Sequence, residues 1–232
     1  MKKVDKQNMY YTIKENTIGN FNDPDNIAIF TNIYENKFWG DHGNNSDLYS
    51  GSSGVGSTIE NNINIYIPFI KTFITENNIQ SVVDIGCGDW QNSHLIYDTL
   101  HIKYTGYDAY EKVINANKIK YPNYTFIHID AVKQCDKLEN ADLCIIKDVL
   151  MHLYTSQINT LLTHIINNKK YKYILLINTT GQTIDNTEPN GDAHFRPLNI
   201  EYNPLKQYNP TSLLNYSNDT NIDPKNISVI KL

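Results

Sequence analysis

Five short apolar runs, alternating with stretches of helical spacing, constrain the fold of this 232-residue chain more than any other feature. A short apolar run bounded by turn residues is typical of a buried strand. The predicted strands lie at 81–85, 103–107, 124–129, 141–146 and 171–177. The predicted helices lie at about 91–100, 110–120 and 155–168. Because strands that alternate with helices favour βαβ units, we expect an α/β fold with a doubly wound, mostly parallel sheet.

The chain divides into three segments around this pattern. Residues 1–58 are polar and form an N-terminal arm, residues 59–180 hold the strands and helices, and residues 181–232 are rich in proline until a final predicted strand at 226–232. The length fits one globular domain with appendages better than two independent cores.

The sequence shows two further features, one at the end of the arm and one at the start of the central segment. The arm ends in a glycine–serine run at 49–58, which fits either a flexible linker or a lid, and its place directly before the central segment favours a lid. Apolar residues between 59 and 77 fall at helical spacing, and Pro68 should kink or split that helix.

Composition argues against several classes of protein. The net charge is −5 and no basic stripe is present, so binding to nucleic acid is disfavoured. The three cysteines are odd in number and lack C-x-x-C spacing, which argues against a disulfide scaffold or a zinc ribbon. No apolar h-region and no run of about 18 apolar residues occurs, so we expect a cytoplasmic protein without a membrane span. The sequence leaves a homodimer open.

Four of the predicted strands end in glycine or charged residues, at Gly86-Cys-Gly88, Asp108, Asp130 and Lys147-Asp148. In an open parallel sheet, ligands bind beyond the carboxyl ends of the strands. One polar strand end would carry little weight, but a series in this order indicates a nucleotide-type site.

The first of these strand ends is a glycine turn, followed by an acid about 20 residues later at the end of the second strand. That spacing places Asp108 against ribose hydroxyls. The third glycine of the dinucleotide fingerprint is missing, because Trp90, Gln91 and Asn92 follow Gly88. A nucleoside ligand without a pyrophosphate therefore fits better.

These motifs together resemble the class I S-adenosylmethionine-dependent methyltransferases. The matching segments are VVDIGCGDW (82–90), YTGYDAY (104–110), FIHIDA (126–131) and ADLCIIKDVLMHL (141–153), in the family's order and spacing. The resemblance implies the Rossmann-like fold with a seven-stranded sheet. It also implies S-adenosylmethionine as cofactor, with S-adenosylhomocysteine as product.

The resemblance implies roles for individual residues. Gly86 and Gly88 approach the methionine part of the cofactor, and Asp108 binds its ribose. Asp130 with Ala131 covers the adenine. The cofactor residues implied within the motifs are Asp84, Gly86, Gly88, Trp90, Asp108, Asp130, Ala131 and Lys147. Of these, Lys147 lines the floor through its backbone, and Trp90 replaces a residue that is often small.

The flanking segments resemble a narrower group of methyltransferases, found in clusters for surface-glycan and capsule modification. The resemblance rests on Trp39-Gly40, the glycine–serine run, and Gly191 with Phe195-Arg-Pro-Leu-Asn199. It implies an arm that folds over the cofactor, with Trp39 and Ser57 in contact, and an acceptor side that includes Tyr49, His194 and Arg196. Trp39 would stack on the adenine or the acceptor, and the alternative is that it only anchors the arm in the core. The acceptor it implies is a sugar hydroxyl or another capsule group such as a phosphoramidate.

His152 is the candidate catalytic base. It follows Asp148 by four residues, so both should lie on one face at the start of a helix. A neutral imidazole could take the proton of an acceptor hydroxyl while Asp148 orients its other nitrogen. The alternative is a histidine that packs on the helix, with Asp148 as its N-cap.

Arg196 is the only arginine among 20 basic residues. A planar guanidinium retained where lysine is used everywhere else favours a bidentate clamp on an anionic or vicinal-hydroxyl acceptor. Chance survival, or bonds to carbonyls of a local turn, would also explain it.

The sequence also offers ligands for a metal ion. Asp185, Asp192 and His194, with Asp148 and His152, offer oxygen and nitrogen ligands for Mg²⁺. Scattered acidic loop residues are more often simply solvated, so we predict no metal.

The sequence therefore predicts methyl transfer to a small-molecule or carbohydrate acceptor, foremost O-methylation of a sugar or glycan. RNA or protein methylation is a second possibility, disfavoured by the missing basic stripe and by the absence of an N-P-P-Y type motif after the fourth strand. A cofactor-binding pseudoenzyme that acts as a partner subunit is the non-enzymatic alternative.

Overall fold

The structure, a computed structural model, describes residues 25–181, 188–217 and 224–232. Its strands are β1 (Ser81–Ile85), β2 (Lys103–Asp108), β3 (Thr125–His128), β4 (Ala141–Lys147), β5 (Tyr171–Thr179), β6 (Thr211–Tyr216) and β7 (Lys225–Lys231). These seven strands form one sheet in the order β3-β2-β1-β4-β5-β7-β6.

The sheet is parallel from β1 to β5, and β7 and β6 add to it as antiparallel strands. The predicted doubly wound, mostly parallel α/β sheet is confirmed. The final strand is also confirmed, at Lys225–Lys231. The sequence did not indicate β6, because this edge strand is exposed at most of its positions and lacks the apolar run of a buried strand.

The α-helices are α1 (Asn26–Glu35), α2 (Ile59–Asn62), α3 (Tyr66–Glu76), α4 (His94–Tyr97), α5 (Glu111–Lys120) and α6 (Thr155–Asn167). Short 3-10 turns lie at Val55–Ser57, Cys135–Lys137, Leu150–His152 and Lys206–Tyr208. The helices predicted at about 110–120 and 155–168 are confirmed. The one predicted at about 91–100 is reduced to the single turn of α4.

Pro68 splits the helical pattern between 59 and 77, as predicted. Helix α2 ends at Asn62 and α3 begins at Tyr66, so Pro68 lies in the first turn of α3. A first-turn amide has no intrahelical acceptor, and proline therefore costs no hydrogen bond there.

Two apolar layers cover the sheet, which explains why its strands read as continuous apolar runs. Successive residues of β4 point to opposite faces: Leu143 and Ile145 belong to the layer that contains α3, α4 and α5, whereas Cys144 and Ile146 belong to the layer that contains α6. All four side chains are fully buried. The core thus holds the strands rigidly and leaves their carboxyl ends available for a site.

The described part of the arm is folded rather than loose. Asp25 caps α1 by accepting hydrogen bonds from the amides of Ile27 and Ala28. In the glycine–serine run, Ser52 is 1 % exposed, and the Ser53 Oγ accepts a hydrogen bond from the Asp89 amide (2.8 Å). The flexible-linker alternative for 49–58 is therefore wrong.

Among the described residues, no helix combines the length and the apolar character needed to cross a membrane.

Candidate functional site

A cleft opens at the carboxyl ends of β1, β2 and β4, beside the residues that follow β3. It encloses about 1000 Å³, counting space open to solvent at its mouth, which is ample for a nucleoside-sized ligand. Twelve of the predicted site residues line it: Trp39, Ser57, Asp84, Gly86, Gly88, Trp90, Asp108, Asp130, Ala131, Lys147, Asp148 and His152.

The glycine turn after β1 forms one wall of the cleft. Gly86 and Gly88 both have left-handed backbone conformations, with φ of +75° and +58°, which glycine adopts without strain. A side chain on Gly86 would overlap Val149, and one on Gly88 would overlap Ser53. The amides of Gly86 and Cys87 both donate to the Tyr107 carbonyl (2.7 and 3.0 Å), which ties the turn to β2.

Asp108, at the end of β2, is anchored by the backbone on both sides. One oxygen accepts from the Gly88 amide and the other from the Tyr110 amide, each at 2.9 Å. Burial raises the pKa of this carboxyl. Because a carboxylate oxygen can accept two hydrogen bonds, each oxygen keeps capacity for a ligand hydroxyl.

Asp130, which follows β3, has two unequal oxygens. Its Oδ1 accepts from the Asn26 side-chain amide (3.0 Å) and from the backbone amides of Val132 and Lys133 (2.9 and 3.1 Å). Its Oδ2 is buried and has no hydrogen-bond partner within the part of the chain that the structure describes. A buried acceptor without a donor is costly, so this oxygen marks a place where a ligand donor would be favoured.

Asp84 is a buried carboxyl with a strongly shifted pKa. Burial raises that pKa to about 7, against the opposing effects of the Tyr104 hydroxyl and the Lys147 charge. The Tyr104 hydroxyl donates to Asp84 Oδ2 at 2.9 Å.

Asp148 makes an ion-pair cluster instead of the expected dyad with His152. Its two oxygens contact the ammonium groups of Lys147, at 2.8 Å, and Lys225. These charges hold the pKa of Asp148 well below its usual value despite burial. The prediction that Asp148 orients His152 is wrong, because the two lysines take up the carboxylate. The helical geometry assumed for 148–152 is wrong as well, since Asp148 has φ of +57° and a 3-10 turn follows it.

His152 is oriented by the backbone. Its Nδ1 donates to the His194 carbonyl at 2.7 Å, and His194 Nδ1 donates back to the His152 carbonyl at the same distance. Because a carbonyl only accepts, the neutral His152 ring carries its proton on Nδ1 and its lone pair on Nε2. Burial lowers the pKa of His152 to about 4, so the ring is neutral at physiological pH.

The three residues predicted for the acceptor side lie outside the cleft lining. Tyr49 is buried and packs against Tyr34, with ring centroids 6.4 Å apart. Arg196 is 3 % exposed, and its guanidinium donates to the Leu153 carbonyl and the Thr155 hydroxyl, both at 3.0 Å. The clamp on an acceptor predicted for Arg196 is therefore wrong. Its bonds do hold a turn, as in the alternative, but that turn lies 41 to 43 residues away in the chain and is not a local one.

The segment around Arg196 still contacts the turn that carries His152. The Arg196 amide donates to the Met151 carbonyl at 3.1 Å, and the indole N–H of Trp39 donates to the Ala193 carbonyl at 3.1 Å. His194, between them, holds His152 through the pair of bonds described above. The arm and the C-terminal segment thus meet at the turn that carries His152.

The two tryptophans differ in what they offer the cleft. The Trp39 ring lies 4.6 Å from the His152 ring, centroid to centroid. The Trp90 indole is 1 % exposed and packs 4.6 Å from both Tyr121 and Tyr124. Trp90 therefore serves mainly as a core residue beneath the glycine turn.

The sequence pattern did not indicate several residues that line the cleft. Asn26, Phe30 and Tyr34 recur every fourth residue along α1, so one face of this helix lies against the cleft. The signal was present as an Asp cap followed by apolar residues at helical spacing, but it was hidden in an asparagine-rich segment. Asp89 was also missed, and it accepts from the Ser53 amide at 3.1 Å.

The described residues contain no group of three or more His, Cys, Asp or Glu side chains arranged to hold a metal ion. Asp185, which was part of the metal alternative, lies outside the described residues.

Solved methyltransferase structures share this fold. Magnesium protoporphyrin IX methyltransferase from Synechocystis PCC 6803, with bound SAM, superposes with a TM-score of 0.58 at 13 % identity over 89 % of this chain and 97 % of that chain. The methyltransferase domain of bacterial CtHen1-CN gives 0.55 at 14 % identity, over 72 % and 97 %. The bifunctional kinase-methyltransferase WbdD gives 0.52 at 17 % identity, over 72 % and 39 %. At such identities the shared property is the fold.

No protein-family profile and no curated protein sequence matches the chain.

Proposed function

We propose that this protein is an S-adenosylmethionine-dependent methyltransferase. The observation that carries the proposal is the set of cleft-lining carboxylates at successive strand ends, of which Asp130 keeps a buried oxygen without a donor. The fold shared with solved methyltransferases supports it.

The residues present fit this cofactor. Gly86 and Gly88 would border its methionine part, Asp108 would accept from the ribose hydroxyls, and Asp130 with Ala131 would meet the adenine. Asp130 Oδ2 is an acceptor that still needs a donor, and the adenine amino group supplies one. Ser57 and the rest of the glycine–serine run would cover the methionine end. When bound, the cofactor supplies an electrophilic methyl group.

The acceptor in this proposal is a ring hydroxyl, foremost that of a sugar or glycan. Phe30 and Trp39 line the cleft next to His152 and provide flat apolar surfaces for one face of a ring. His152 Nε2 would take the hydroxyl proton, with the His194 carbonyl holding the proton on Nδ1. Positioning of the hydroxyl by these walls supplies the larger part of the rate.

Calorimetric titration with S-adenosylmethionine and S-adenosylhomocysteine tests cofactor binding. A ligand concentration of about 100 Kd should stabilise the fold by roughly 2.7 kcal/mol. Asp108→Ala should weaken both affinities without unfolding the protein, because it removes the ribose acceptor. The matched control is Asp136→Ala, which removes an exposed carboxylate outside the cleft.

The proposal would be refuted if neither ligand gave a heat of binding in the titration and neither raised the thermal stability of the protein. Binding without methylation of any acceptor, followed with a labelled methyl group across sugars, nucleotide sugars and RNA, would instead identify a pseudoenzyme.

A further inference from the structure

A chain of buried hydrogen bonds ends on Asp130. The Tyr154 amide donates to Gln157 Oε1 (2.9 Å), Gln157 Nε2 donates to Asn26 Oδ1 (2.7 Å), and Asn26 Nδ2 donates to Asp130 Oδ1 (3.0 Å). Gln157, Asn26 and Asp130 are between 3 % and 5 % exposed. The chain thus joins the start of α6, the start of α1 and the strand end after β3.

The direction of this chain is set at its first member. A backbone amide can only donate, so Gln157 turns its oxygen toward Tyr154 and its amide nitrogen toward Asn26. Asn26 in turn presents its oxygen to Gln157 and its nitrogen to Asp130. A reversed Asn26 amide would face the Gln157 donor with a donor and the carboxylate with an acceptor, which is unfavourable at both ends.

The two oxygens of Asp130 have different surroundings as a result. Oδ1 receives the Asn26 amide and two backbone amides, whereas Oδ2 is buried without a donor among the described residues. Asn26 and Asp130 both line the cleft. The protein therefore binds the Asp130 carboxylate through Oδ1, and Oδ2 remains able to accept a hydrogen bond from a ligand.

We propose that Asn26, oriented by Gln157, is a positioning residue that holds Asp130 so that Oδ2 accepts the exocyclic amino group of the purine. The inference rests on the proposed function and extends it to base selection and to helix α1. A 6-amino purine donates to Oδ2, whereas a 6-oxo purine would place a carbonyl oxygen against it. Since Asn26 begins α1, the same bond couples the position of this helix to the fit of the base.

The test compares the affinities of S-adenosylhomocysteine and S-inosylhomocysteine, whose purines differ in the group at C6 and in the proton that the 6-oxo form carries on N1. The wild-type protein should prefer the amino form by roughly 10- to 150-fold, the range expected for a hydrogen bond to a charged group. Asn26→Ala should weaken S-adenosylhomocysteine binding and reduce this preference severalfold, because Asp130 loses its lateral anchor. Asn32→Ala, on the same helix but outside the cleft lining, should leave the preference unchanged.

A second variant separates the hydrogen bonds from packing. Gln157→Glu keeps the size of the side chain and the acceptor for the Tyr154 amide, but it has no donor for Asn26. With the introduced glutamate ionised, Asn26 faces a carboxylate on each side, and the two compete for its single amide nitrogen. The bond from Asn26 to Asp130 should therefore weaken, so the preference for the amino form should again fall.

The outcomes are distinct. If the wild type binds neither ligand, the proposed function fails. If the wild type binds both equally, or if folded Asn26→Ala and Gln157→Glu proteins keep the full preference, the positioning role is refuted while cofactor binding stands. Thermal unfolding of each variant without ligand establishes that it is folded.

Discussion

The protonation state and the tautomer of His152 are set by burial and by a backbone carbonyl, not by a carboxylate. The His194 carbonyl places the proton on Nδ1, and burial lowers the pKa to about 4. A histidine that is neutral and fixed in one tautomer can act as a base without a charged partner. The Asp148 carboxylate does not serve this purpose, because its oxygens contact Lys147 and Lys225.

We expect His152→Gln to lower kcat by about 10²- to 10⁴-fold, the range typical of a general base, with little change in cofactor affinity. The wild-type kcat/KM should stay flat from pH 8 down to about pH 5, because the pKa of the free enzyme's base is about 4. An unperturbed histidine would instead lose half its activity near pH 6.5. A pH–rate profile and a paired titration measure both effects, and near-wild-type kcat in the variant would make His152 a packing residue.

The turn between β1 and α4 shows how an element places a site. It needs glycine at 86 for two reasons, a φ of +75° and contact with Val149. Gly191 offers a matched comparison, because it has φ of +70° but no atom within 4 Å of a built Cβ. The two positions therefore separate backbone strain from steric overlap.

Gly191→Ala should destabilise the protein by about 1–2 kcal/mol, the cost of a left-handed residue with a side chain. Gly86→Ala should cost a further ~1–3 kcal/mol from overlap with Val149. The double variant Gly86→Ala with Val149→Ala should recover part of that extra loss. Urea denaturation of the variants measures these differences, and equal losses for the two single variants would contradict the steric account.

Across the whole molecule, the floor of the cleft combines buried carboxyls with opposite shifts. The pKa of Asp84 is raised to about 7 by burial, whereas that of Asp148 is lowered by two lysines. Asp148 stabilises the fold at neutral pH, and this contribution is lost as the pH falls below about 4, its unfolded value. Asp84 acts in the other direction: its ionisation in the folded protein is penalised as the pH rises from about 4 to about 7.

Asp84→Asn removes the ionisation of this group and keeps its shape. Relative to the wild type, the variant should therefore gain stability between pH 4.5 and pH 8, by about 3 kcal/mol for a shift of this size. Contributions from Asp148 and His152 are present in both proteins and cancel in the comparison. Denaturant unfolding at the two pH values gives the difference directly, and a difference independent of pH would show that Asp84 is ionised in both states.

The tertiary packing of the chain also decides which segments surround the cleft. The predicted division at 58 and 180 follows the composition of the sequence, yet the arm and the C-terminal segment converge on one turn. Trp39 bonds to the Ala193 carbonyl, and Arg196 bonds to the carbonyls of Met151 and Leu153. Residues far apart in sequence thus hold the turn that carries His152.

What the sequence determined by itself is the central sheet and the row of polar strand ends. Strand periodicity, the glycine turn and the split at Pro68 are local properties, set by backbone sterics and by burial on two faces. The order of the parallel strands then brings Gly86, Asp108 and Asp130 to one edge. The signal of α1 was also local, and it was missed because its polar flanks masked a short apolar stripe.

Only the tertiary structure decided which group each polar side chain meets. The bond from His152 to His194 spans 42 residues, that from Lys225 to Asp148 spans 77, and that from Asn26 to Asp130 spans 104. A hydrogen bond forms only where donor and acceptor come within about 3 Å, and sequence spacing does not specify such distances between distant segments. The clamp on an acceptor predicted for Arg196 is wrong for this reason, because its guanidinium meets internal groups of a turn 41 to 43 residues away.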